Sequence, residues 1–206
     1  MSEFGVDRRI KMGSFGWDHK DWQGPFYPDD LPADWRLSYY ANEFSVVLVP
    51  FSVWTADECA TWHDDVPESF RFVLDITPFS GEKDVLRCLK VVVDGLGDRL
   101  AGIVSWAILS SEEARQIEST VGSGLLITPS PDDISPVIGM DRASNSALVC
   151  LLLPDELGRD LVALRVLMES LMIAEASWHV AMIFFSGEPP AIKVIKDAEV
   201  LQQLLG

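Results

Sequence analysis

The sequence predicts an α/β domain built on a mainly parallel sheet, and three observations lead there. Short apolar runs of strand length alternate with stretches whose apolar residues recur at helical spacing. Several of those runs are apolar at nearly every position, as in strands covered on both faces. No repeat, low-complexity tract or linker divides the 206 residues, so residues 1–206 read as a single domain.

The elements follow in order. Arg9 to Ser14 and Ser45 to Phe51 (SVVLVPF) read as the first two strands, the second rich in β-branched residues. Thr55-Ala-Asp-Glu58 has the capping-box spacing, in which the Thr and Glu side chains satisfy the first free N–H groups of a helix running to about Asp64. Phe70 to Ile76 (FRFVLDI) is a third strand. Lys83 to Leu96 then sets Val85, Leu86, Leu89, Val92, Val93 and Leu96 at helical spacing. Gly102 to Ile108 is a fourth strand, and Ser110-Ser-Glu-Glu113 a second capping box opening a short helix.

Gly124 to Thr128, Pro136 to Met140 and Ala147 to Leu153 supply strands five to seven. Pro129, Pro131 and Pro136 leave no room for a helix between strands five and six. Asp155 to Ala176 is the longest helical pattern, with Leu157, Leu161, Leu164, Met168, Leu171 and Met172 on one stripe. His179 to Phe185 is the last strand and Asp197 to Leu205 a closing helix. Gly95-Leu-Gly97 and Gly122-Ser-Gly124 read as turns, so no dinucleotide-binding or P-loop motif is present.

Composition narrows the function classes. The chain carries 16 basic and 32 acidic side chains, a net charge of −16. Residues 1–80 hold 14 acids and 6 bases and residues 81–206 hold 18 and 10, so no basic segment offsets the rest. Such a surface repels phosphates, which argues against a nucleic-acid partner. Leu161 to Phe185 is the most apolar long stretch, but Arg165, Glu169, Glu175 and His179 interrupt it, against a membrane span. The first residues, MSEFGVDRRIKMG, lack an apolar core of the secretory type. Cys59, Cys88 and Cys150 are odd in number and widely spaced, so three reduced thiols in a cytoplasmic protein are expected.

The amino-terminal stretch is more specific than periodicity. Gly13-Ser-Phe-Gly16-Trp17, then Trp22-Gln-Gly24-Pro-Phe26-Tyr27-Pro28, Leu31-Pro32, Trp35, Tyr39-Tyr40-Ala41 and Phe44 resemble the opening of the DUF72 (YecE-like) family. Ala181-Met-Ile-Phe-Phe185 and the final Leu-rich helix resemble its last strand and helix. The resemblance implies a TIM-like (β/α) barrel, here divergent and shortened, with the helix between strands five and six missing. The family has no settled activity, so the resemblance brings a fold more than a function.

Barrel chemistry sits where the strands end, and there the chain departs from the family pattern. Leu48 stands at a family Glu, Pro50 at an Asn, Asp75 at a Lys, Trp106 at a Gln, and Cys150-Leu-Leu152 across an Arg and a His. Leu and Pro neither exchange protons nor hold charge. The resemblance therefore implies a degenerate mouth and a non-catalytic protein of binding or interaction. The alternative is a metal-assisted hydrolase or phosphoester-processing enzyme with a rebuilt mouth, so whether the chain is an enzyme stays open.

The weak catalytic candidates are Asp18, His19 and Asp75, with Asp141 a further member of a rebuilt site. Asp18, His19 and Asp21 follow the first strand, either as proton shuttle or metal ligands or as solvated loop residues. Asp75 interrupts an apolar strand; it either faces the mouth and pairs with His19 or Arg142, or ends the strand in solvent. Trp17, Trp22, Phe26 and Tyr27 form either a stacking platform for a ligand or the packing of a loop. His63, His179 and Cys150 read as structural. No metal or cofactor is expected. The expected partners are a small molecule, a protein, or a second copy of the chain in a homodimer, with no membrane involved.

Overall fold

The computed structural model describes residues 9–55, 62–129, 141–144, 148–173 and 178–205. Its described strands form two four-stranded sheets. In the first, β2 (Val46–Val49), β3 (Arg71–Asp75), β4 (Leu100–Val104) and β5 (Leu126–Ile127) lie side by side, all parallel. In the second, β1 (Arg9–Ser14) pairs in parallel with β8 (Val180–Phe185), β8 with β7 (Leu148–Leu153), and β7 antiparallel with β6 (Asp141–Ser144). The sheets meet where β1 ends: Phe15 and Leu48 form a parallel bridge, and Gly16 N–H donates to the Leu48 carbonyl at 2.8 Å.

Side-chain parity explains the near-continuous apolar runs. Successive strand residues point to opposite faces. Val47 and Val49, Phe72 and Leu74, Val149, Leu151 and Leu153, and Ala181, Ile183 and Phe185 pack in the large cluster shared with the helices. The alternate positions, Val46, Leu48, Val73, Val104, Ile127, Leu148, Cys150, Met182 and Phe184, form a second cluster drawn from both sheets. Both faces of these strands are therefore buried, which is why so few polar residues punctuate them.

The helices are α1 (Arg36–Glu43), α2 (Phe51–Trp54), α3 (Lys83–Leu96), α4 (Ser111–Val121), α5 (Asp155–Arg159), α6 (Leu161–Ile173) and α7 (Ile192–Leu205). The periodicity places α3 correctly from end to end. The capping box of α4 is complete: Ser110 Oγ accepts from Glu113 N–H, and the Glu113 carboxylate accepts from Ser110 N–H at 2.8 Å. Gly97 and Gly122, with φ of 51° and 95°, end α3 and α4 in the left-handed region that favours glycine.

Several boundaries differ from expectation. The second strand stops at Val49, because Pro50 has no N–H for the ladder and its carbonyl instead accepts from Val53 and Trp54 at the start of α2. Thr55 Oγ1 donates back to the Phe51 carbonyl at 2.9 Å, while residues 56–61 of the helix expected after it lie outside the described residues. The fourth strand begins at Leu100, straight after the turn at Gly97–Arg99, and is over by Val104. The long helical pattern is two helices, since the Asp160 carboxylate accepts from Val162 and Ala163 N–H at 3.0 Å each and starts α6 afresh. The last helix begins five residues earlier than expected, directly behind Pro189, Pro190 and Ala191.

The sheets are mainly parallel, as expected, and β6 alone among the described strands runs antiparallel to its neighbour, β7. The strand expected over Pro136 to Met140, Pro131, Cys59 and Glu58 of the expected capping box lie outside the described residues, as do the side chains of Asp141 and Arg142. Among the described residues, no helix is long and apolar enough to cross a membrane.

Candidate functional site

The carboxyl ends of the strands gather around the second, inner cluster. Asp75 has the parity of Val73 and so shares its face, yet it is 7% exposed. A buried carboxylate needs donors, and it finds them two residues on: Thr77 N–H and Thr77 Oγ1 both donate to Asp75 Oδ1, at 2.9 and 2.6 Å. Burial raises its pKa, and the two Thr77 bonds pull the other way. Thr77 Oγ1 also accepts from Trp106 N–H at 3.0 Å, fixing the loop after β4 to the loop after β3. Phe15, Trp106 and Leu152, half-buried, pack onto the inner cluster. The Trp106 indole N–H is buried without a hydrogen-bond partner among the described residues.

The loop after β1 is anchored through the polar ends of its aromatic residues. Tyr27 OH donates to the Trp17 carbonyl at 2.5 Å, and Trp22 Nε1–H donates to the Pro190 carbonyl at 3.0 Å, across 168 residues of chain. Tyr40 from α1 accepts from Ser14 N–H at 2.9 Å and lies 3.2 Å from the Val46 carbonyl, so one phenol ties β1, α1 and the start of β2 together. Trp17, Trp22 and Tyr27 are buried, Tyr27 completely. Packing of the loop is thus what these rings are seen to do, with Trp22 stacked on Tyr40 at an interplanar angle of 3°.

His19 sits in the same loop, half-buried. Its Nε2 lies 2.9 Å from the Phe15 carbonyl, an acceptor, so that nitrogen carries the proton. The ring is held against Trp22 with centroids 4.4 Å apart. Burial lowers its pKa, opposed by the Phe15 bond and the charges of Asp18 and Asp21. Asp18 is engaged elsewhere, in a close ion pair with Arg36, whose second nitrogen donates to Gln23 Oε1 at 2.6 Å. The three carboxylate and imidazole candidates are thereby committed to separate partners: Asp18 to Arg36, His19 to Phe15, Asp75 to Thr77. Pairing of Asp75 with His19 does not occur. Nor is Asp75 a solvated strand end.

Among the described residues, no three His, Cys, Asp or Glu side chains gather as metal ligands. Cys150 is fully buried with its pKa pushed far up by desolvation, so its thiol is inert at neutral pH. Cys88 is free and half-buried. His63 bridges Asp64 and Asp98 at the surface, at 3.1 and 3.3 Å. The His179 carbonyl accepts from Arg9 N–H at 3.0 Å, beside the start of β8.

The feature that sequence reasoning missed is a groove of about 660 Å³ outside the strands, between the first loop, α1 and the start of α7. Trp22, Pro25, Phe26 and Tyr39 form one wall, and Pro189 to Ile192 the other. Asp21, Glu43, Lys193 and Lys196 supply charge. Lys196 bridges Glu43 at 2.7 Å and lies 5.9 Å from the Phe26 ring, while Lys193 pairs with Asp197 at 2.6 Å. The only signal in the sequence was Pro189-Pro190 ahead of two lysines three apart, which says nothing about a distant loop that docks there.

Parallel strands buried on both faces, joined by helices, with a first loop pinned by its own tyrosines and tryptophans, define a mixed α/β protein with parallel sheets. A family model described as "Protein of unknown function DUF72" matches residues 11–100, the part that carries these anchors. Among solved structures the chain is similar to a DUF72 family protein from Enterococcus faecalis V583, at 13% identity with a TM-score of 0.52, over 97% of this chain and 98% of that one. No curated protein matches. The chain is thus similar to the DUF72 family over residues 11–100, and its fold is similar to that of a member of that family.

Proposed function

We propose that the eight strands form one TIM-like barrel, in the order β6-β7-β8-β1-β2-β3-β4-β5, and that the protein binds a small molecule without transforming it. The closure is supported by the inner cluster, to which both sheets contribute, and by the contact of β5 with β7. The functional reading rests on one observation. The inner face, where a barrel enzyme would carry its reactive groups at the strand ends, is filled by Leu48, Val104, Cys150 and Phe184 and overlaid by Trp106. The carboxylate there, Asp75, spends its acceptor on Thr77.

Binding is assigned to the groove beside the first loop. Its volume falls within the range of small-molecule pockets, about 300–1,000 Å³. Phe26, Tyr39 and the prolines suit a flat apolar body, and Asp21 and Lys193, both exposed, suit charged substituents at its rim. The test is a metabolite library incubated with the protein and read by native mass spectrometry. The expected result is a retained compound of unchanged mass, lost in Asp21→Lys and Lys193→Glu, which alter surface positions only. Time-dependent conversion of any compound, abolished by Asp75→Asn or His19→Ala, would overturn the reading.

A further inference from the structure

From the outer face of α6, independent of the groove, we infer that the chain forms a two-fold homodimer with α6 packed antiparallel on the α6 of a second copy. A helix on the flank of an α/β domain normally shows water a polar face. α6 does not. Its inner side buries Leu164, Leu167, Met168 and Leu171, yet its opposite side carries Val162, Val166 and Ile173, at 73%, 59% and 81% exposure. Positions 162, 166, 169 and 173 advance by four, three and four residues, so they form one stripe along the helix. Leu161 is also exposed, and α7, packed beside α6, exposes Val200 and Leu204. These exposed apolar side chains lie on two adjacent helices, and clustering of that kind marks an interaction surface.

Charge selects a second copy as the occupant. The stripe holds one anion, Glu169, and Arg165 lies beside it; their side chains meet at 2.8 Å and are 60% and 40% exposed, Arg165 first. A two-fold axis at Leu167 pairs each position with its complement about that residue. Arg165 of each copy then faces Glu169 of the other, Val162 faces Met172 and Leu161 faces Ile173, the last four all exposed apolar residues, so this helix face is complementary to itself in charge and apolar character. A partner of opposite overall charge would be drawn to this chain's net −16 anywhere on its surface. An apolar stripe with one balanced ion pair is instead suited to a partner met at short range.

The test is sedimentation equilibrium of the full chain in ~0.5 M salt, where the mutual repulsion of two acidic copies is screened to within a few ångströms. The expected species has twice the 22.9 kDa chain mass. Val166→Glu raises the dimer Kd at least tenfold. Arg165→Glu and Glu169→Arg each do the same, and the two together restore the dimer. Unchanged circular dichroism of each variant keeps misfolding apart from dissociation. A wild-type monomer at ~100 µM, a dimer indifferent to Val166→Glu, or no restoration by the charge swap would each overturn the assignment.

Discussion

At Gly13 β1 lies close against the Val46 backbone of β2, and replacing it with alanine measures that approach. A Cβ built on Gly13 lies 2.0 Å from the Val46 carbonyl oxygen, 2.9 Å from its carbon and 3.2 Å from Tyr40 OH. Real Cβ atoms essentially never come within 3.0 Å of such neighbours, so β1 and β2 must part by about 1 Å. Two of the three obstacles are backbone atoms and cannot rotate aside. A 1 Å separation takes the Gly16 to Leu48 bond from 2.8 Å to about 3.8 Å, beyond hydrogen-bond length. It also strains the Tyr40 link from Ser14 to Val46. Overpacking of this kind costs about 1–3 kcal/mol, and each lost buried bond about 1 more. The sum, about 2–4 kcal/mol, is a large part of the 5–15 kcal/mol of a typical domain. Urea unfolding followed by fluorescence of the buried tryptophans reads it directly. A loss below about 1 kcal/mol would refute the reasoning, because it would mean that the sheets do not meet at Val46 as described.

Three further outcomes follow from the same geometry. Tyr40→Phe removes the acceptor of Ser14 N–H in a fully buried place, and the urea midpoint should fall by the equivalent of ~1–3 kcal/mol. Asp75→Asn keeps an oxygen for Thr77 and removes a charge that burial disfavours. Because the folded-state pKa of Asp75 is raised, its stabilising contribution is present below the unfolded value near 3.8 and is lost as pH rises through the folded value. The variant should therefore be more stable than the wild type at pH 7 and lose that advantage toward pH 4, as urea titrations at both pH values would show. Ser110→Ala opens the capping box of α4 and should cost ~1 kcal/mol in the same assay, with far-ultraviolet circular dichroism at 222 nm reporting on the helix.

What was legible in the sequence divides along a physical line. Elements specified by their own residues are read correctly: α3 by its apolar stripe, α4 by Ser110 and Glu113, and β7 and β8 by unbroken apolar runs. Asp160 was legible too, as an N-cap ahead of an apolar run, but the continuous stripe from Leu157 to Met172 masks it. What the sequence did not disclose depends on contacts distant in the chain. The direction of β6 is set by pairing with β7. The groove exists because Trp22 reaches the Pro190 carbonyl. Asp75 illustrates the difference most directly: its burial follows from strand parity, whereas its partner is a neighbour two residues on, so a search for distant cations could not find it.

The retained and altered positions then form one pattern. Tyr27, Trp22 and Tyr40 each place a polar tip on a backbone carbonyl or N–H and a ring in the core. These residues keep the first loop in place whatever the strand ends carry, because their bonds run to main chain. The strand ends have no such duty to the fold, and an apolar side chain at Leu48 or Cys150 fills the inner cluster at no desolvation cost, where a buried Glu or Arg would need a partner. Packed strand ends and a pinned first loop are therefore independent features of this fold, because the aromatic anchors bond to main chain. The match to the family model over residues 11–100 covers these anchors, and the same anchors build one wall of the groove.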